Sequence, residues 1–145
     1  MMLRSLAFGI PTMVVCLMLQ SMLIVVATRF YVRRYHNVDD PPMWLTLVAM
    51  SSVMVMLVTG NLAQLTIWGL LFWQLGEFTT LGEATYHSAV NFATLGYGDI
   101  VMSDKHKFLG PLEAINGVLM IGVSTAALIA VFQDAVRQKR ASQNN

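Results

Sequence analysis

The sequence predicts an all-α membrane protein: three membrane-crossing helices and one re-entrant unit between the second and the third. Three observations carry this. Charged residues make up 12% of the 145-residue chain and apolar ones 56%, whereas about a quarter of a soluble domain is charged. Three long runs, residues 5–28, 43–76 and 114–133, contain no charge at all, and a spanning helix needs about 20 mostly apolar residues. Between the second and third runs lies a polar, glycine-bearing stretch, "NFATLGYGDIVMS" at residues 91–103, that is unlike a continuous span.

The first run starts just after Arg4 and stops at Arg29. It is too long for the apolar part of a signal peptide, and no small-x-small cleavage pattern follows it. The connection "RFYVRRYHNVDDPP" carries Arg29, Arg33 and Arg34, and the tail "DAVRQKRASQNN" carries Arg137, Lys139 and Arg140. Six of the nine Lys and Arg residues thus fall on one side. The positive-inside rule makes that side cytoplasmic and puts the N-terminus outside. Lys105 and Lys107 run against the rule without outvoting the rest.

The second run, expected as a helix over 43–75, is longer than a ~30 Å hydrocarbon core requires at about 1.5 Å per residue, so it tilts or projects. Asn61 and Gln64 share one of its faces; polar groups inside a membrane face protein or water, and the short re-entrant unit that follows, at the same depth, is their expected partner. On equal depth from the cytoplasmic ends, Gln20 and Ser21 of the first helix are expected near Ser51 and Ser52. This would seat the first helix on the lipid side of the second, at the periphery. The alternative is that it leans on another copy of the chain.

Residues 83–93, "EATYHSAVNFA", predict a helix too short to span, starting near Gly82 and Glu83, where a Glu in the first turn suits the helix dipole. Gly96 and Gly98 then end any helix. Irregular backbone at membrane depth persists only when buried in protein or lining an aqueous path. One chain with three spans cannot surround such a loop, but several copies around an axis can. Alternating glycines also let the backbone turn successive carbonyls to one side.

Thr94-Leu95-Gly96-Tyr97-Gly98-Asp99 resembles the selectivity filter of potassium channels, in which rings of carbonyls replace the hydration shell of the ion. The third run, "NGVLMIGVSTAALIAVF", is similar to the inner helix of small bacterial two-transmembrane potassium channels. The match covers roughly residues 44–133. It implies a homotetrameric pore domain over 43–133: outer helix 43–75, pore helix 83–93, filter 94–99 and inner helix 111–133. An extra helix and cytoplasmic linker over 1–42 precede it, and a short basic tail over 134–145 follows.

The resemblance also implies roles. Thr94, Leu95, Gly96, Tyr97 and Gly98 coordinate K+, and Asp99 sits at the outer mouth, with Tyr86 its expected hydrogen-bond donor. Tyr86, His87 and Val90 support the filter from behind. Val118, Ile121 and Thr125 line the cavity, where packing against lipid or another helix is the alternative. Gly117 and Gly122 permit either bending or close helix approach. The chain departs from the family pattern too. Leu95 stands where a β-branched residue is usual, Val90 stands where some members carry a carboxyl, and no arginine ladder marks a voltage sensor.

The implied function is passive, potassium-selective conduction across the plasma (inner) membrane. The alternatives are a weakly selective cation channel, with Leu95 loosening the filter, and a non-conducting scaffold or regulatory subunit. Nothing suggests an enzyme, a nucleic-acid partner or a bound cofactor other than permeant K+. His87 reads as a structural histidine and His106 as a solvated one. Cys16 is the only cysteine, and the eleven methionines read as adaptable packing.

Overall fold

A computed structural model describes residues 2–36 and 42–143; the Asp39–Asp40 part of the predicted linker lies outside them. Four helices follow in order: α1 (Met2–Tyr31), α2 (Met43–Gln74), α3 (Leu81–Phe92) and α4 (Leu109–Gln143). α1, α2 and α4 are long and apolar enough to cross a membrane, while α3 has 12 residues. Two helix ends run past their expected limits. α1 continues into a π-helical turn, Val32–His36, and α4 runs on through the basic tail, where "AVRQKRASQ" holds no proline or glycine to stop it.

Two apolar clusters form the core. One joins Ala27 and Tyr31 of α1 to Ala49, Val53 and Leu57 of α2 and to Val131 and Ala135 of α4. The other, at the opposite end of the bundle, joins Cys16, Trp68, Phe72, Phe78, Ala84 and Leu109. α1 thus runs antiparallel to α2 and lies against both α2 and α4.

This corrects the expected seat of the first helix. Gln20 is buried and bonds Gln64 of α2 and Ser124 of α4; Ser51 and Ser52 are not its partners. The physical reason lies in the side chains. A serine in a helix satisfies itself on the carbonyl one turn back, as Ser21 does on Leu17 and Ser52 on Val48, at 2.8 and 2.7 Å. A carboxamide has two donors and an acceptor to place, so in lipid it seeks another helix. Gln64 donates from Nε2 to α1, its Oε1 and the Asn61 Oδ1 stay buried without a partner among the described residues, and the bonds expected from these two residues to α3 do not form.

α3 wedges between α2 and α4. On the α2 side the approach is close: a Cβ on Gly69 would lie 2.9 Å from the Thr85 Cα. On the α4 side Gly117 meets the last turn of α3.

Candidate ion pathway

α3 aims the 94–99 segment, so its two ends decide the site. Its N-terminus is capped by Thr80, whose Oγ1 accepts from the Glu83 N–H at 3.2 Å, while Glu83 accepts from Thr79 Oγ1 at 2.8 Å. The cap therefore lies two residues before Gly82, because a threonine oxygen can take an orphan N–H and a glycine cannot. At the C-terminus, the Thr94 N–H bonds the Asn91 carbonyl and the Leu95 N–H the Val90 carbonyl, both at 2.8 Å. This is a Schellman ending, with Thr94 in the left-handed position usually held by glycine.

The left-handed backbone then recurs at every second residue: φ is +57° at Thr94, +61° at Gly96 and +72° at Gly98. In an ordinary strand successive carbonyls face opposite ways; reversing alternate residues brings them to one side. Residues 93–99 are all exposed, with Leu95 at 54% and Tyr97 at 65%. A groove of about 420 Å³ opens beside them, bordered by His87, Asn91, Thr94, Gly96, Gly110 and Pro111.

The far end of the segment is tied to α3 by Tyr86 and by His87. Tyr86 Oη donates to Asp99 Oδ2 at 2.8 Å, the bond expected from the sequence, and Asp99 Oδ1 accepts from the Ile100 N–H at 3.0 Å. The shared bond lowers the Asp99 carboxyl and raises the Tyr86 phenol relative to their ordinary values. His87 lies 2.9 Å from the Ile100 carbonyl through Nδ1 and 2.9 Å from Asn91 Nδ2 through Nε2. A carbonyl only accepts, so Nδ1 carries the proton and Nε2 accepts from Asn91. Burial keeps the ring below its ordinary pKa.

A family model described as an ion channel matches residues 43–134, which spans α2, α3, the filter-like segment and most of α4. The chain belongs to the ion channel family. No curated protein and no solved structure matches it.

The channel holds the loops around α3 with groups that sequence reading passed over. Glu77, just past α2, accepts from Ser103 N–H at 2.7 Å, Ser103 Oγ at 2.8 Å and His106 Nδ1 at 2.5 Å. The side chains of His106 and Glu77 are 5% and 4% exposed, so His106 is not the solvated residue expected from its loop setting. The two partners are 29 residues apart, a distance no local pattern bridges. Deeper in, Ser88 of α3 bonds the Leu65 carbonyl at 2.6 Å and also the carboxyl of Glu113, which is fully buried on α4. Glu113 falls just outside the charge-free run, where its place in the sequence marks a boundary and not a tie.

Acid should loosen this corner of the channel. Burial alone would raise the Glu77 carboxyl, but the bonds from His106 and Ser103 outweigh it and hold the group below 4.5. Its stabilisation is present above that ordinary value and is lost as pH falls through the lower folded one. His87 is depressed as well, so its contribution is complete above 6.5 and erodes as pH drops below that value. Both signs agree. The thermal midpoint of the purified channel should fall between about pH 7 and about pH 4, and His87→Gln should remove the upper part of that fall. A midpoint that rises on acidification would contradict both assignments.

Proposed function

We propose that this chain is the subunit of a homotetrameric, potassium-selective channel, with Thr94, Leu95, Gly96, Tyr97 and Gly98 contributing four-fold rings of carbonyl ligands. The observation that carries the reading is the left-handed φ at Thr94, Gly96 and Gly98, on a segment held at one end by the Schellman ending of α3 and at the other by the Tyr86–Asp99 bond. Such a backbone presents its oxygens in one row, and four rows around an axis replace a cation's water. The C-terminus of α3, the negative end of its dipole, lies beside Thr94, which favours a cation there.

Self-assembly is supported by what the subunit leaves uncovered. Backbone that is irregular at membrane depth needs protein or an aqueous path around it, and the subunit alone leaves residues 93–99 exposed. On α4, Gly117, Met120 and Ser124 face inward, while Val118 and Ile121 are 57% and 44% exposed and Thr125 is exposed. The latter three suit a cavity below the filter. The basic connection and tail favour an N-terminus outside and a C-terminus in the cytoplasm of a plasma (inner) membrane.

Purified protein in liposomes tests the reading through cation flux. Potassium flux with little sodium flux is expected. Equal fluxes would replace it with a weakly selective cation channel, and no flux of either ion would replace it with a pore-like scaffold.

A further inference from the structure

Gln20 lies at the waist of the bundle, between the two apolar clusters, and is 1% exposed. Its carboxamide is used at both ends. Oε1 accepts from Gln64 Nε2 at 2.6 Å, and Nε2 donates to Ser124 Oγ at 2.7 Å. Ser124 passes its own proton to the Met120 carbonyl at 2.7 Å. A single directed chain of donors thus runs from α2 through α1 to the backbone of α4.

Its end point matters more than its length. Ser124 precedes Thr125, and successive residues on a helix are turned by about 100°. Pinning Ser124 inward therefore turns Val118, Ile121 and Thr125 outward, as observed. No water competes for these groups in a bilayer. Removing the Gln20 bond leaves Ser124 satisfied on its own helix, so α4 is released without being broken.

We propose that Gln20 is a positioning residue for the pore: through Ser124 it sets the rotation of α4, which makes α1 a control element for conduction. This rests on the channel reading above. An interhelical bond in a membrane is worth about 0.6 kcal/mol on average and at most about 1.7. The open-state occupancy should therefore shift by about threefold to about twentyfold per subunit when the bond is lost.

The experiment compares single-channel records and thermal midpoints of the full-length protein in liposomes. The variants are Gln20→Met, Ser124→Ala, their double, and Gln64→Met, which cuts the α2 end of the chain and leaves the Gln20–Ser124 bond. Gln20→Met and Ser124→Ala should each shift open-state occupancy within that range, and the double no further than either single. Gln64→Met should lower the midpoint and leave the occupancy of assembled channels unchanged. Should Gln20→Met fail to assemble, Ser124→Ala carries the test, since it keeps α1 packed. A conducting wild type with unshifted Ser124→Ala, additive singles, or a Gln64→Met that shifts occupancy as Gln20→Met does would overturn this assignment alone. A wild type silent to every cation would overturn the channel reading and the assignment with it.

Discussion

Gly96→Ala should leave the subunit folded and abolish selective potassium flux. A Cβ built on Gly96 meets nothing within 4 Å, so no clash with the rest of the subunit is involved. The difficulty is the backbone, since Gly96 sits at φ +61°. An L-residue pays roughly 1–2 kcal/mol for that region, and alanine has no side-chain group to offset it. The strain is small beside a whole fold but is applied four times around one axis in the proposed tetramer, where ligand distances must be held closely. The alternative for each strand is to return residue 96 to negative φ, which turns a carbonyl out of the row. Thermal midpoint and flux should therefore separate, the first nearly unchanged and the second lost. Unchanged selectivity in Gly96→Ala would remove 94–98 from the ion pathway. Thr94, already left-handed at φ +57° with a β-branched side chain, shows that this segment tolerates such strain where the helix ending demands it.

Gly117→Ala should act by the opposite route and damage folding first. Its Cβ would lie 2.1 Å from the Phe92 carbonyl oxygen, 2.8 Å from its carbon and 2.9 Å from its Cα. All three are backbone atoms at the end of α3, so no rotamer change relieves the overlap. Overpacking of this kind costs about 1–3 kcal/mol or more, and here it must push α4 away from the helix end that holds Thr94. A fall of several degrees in thermal midpoint is expected, with loss of flux in whatever assembles. Gly122 offers the control. A Cβ there meets nothing within 4 Å in the subunit, and alanine is the better helix former by about 1 kcal/mol. Gly122→Ala should therefore fold at least as well as the wild type. Equal stability of the Gly117 and Gly122 variants would refute the close-approach assignment of Gly117.

Much of this architecture was legible in the order of residues, because a bilayer imposes it segment by segment. Lipid admits only helices and closed barrels, a barrel strand needs only about 9–11 residues, and the length of the charge-free runs therefore placed α1, α2 and α4 as helices. The hexapeptide Thr94–Asp99 was readable for a related reason: alternate glycines license a backbone that few other sequences adopt. The Tyr86–Asp99 bond was legible as a donor and an acceptor flanking that segment.

Side-chain partners across helices were not legible, because they depend on register and rotation. Depth counting matched Gln20 to Ser51 and Ser52 by distance along the chain. The structure matched it to Gln64 and Ser124 by hydrogen-bonding demand, which serines meet on their own helices. His106 reads from its loop setting as solvated, and nothing local marks Glu77 or Ser103 as its partners; the fold brings the three together. The sequence by itself determined the number of spans, the re-entrant unit and the backbone character of the 94–98 segment, since each follows from local composition in lipid. Only the tertiary structure decided that α1 reaches α4, that Gly117 is a contact with Phe92, and that Glu113 ties to Ser88, since each depends on atoms brought together from helices distant in the chain.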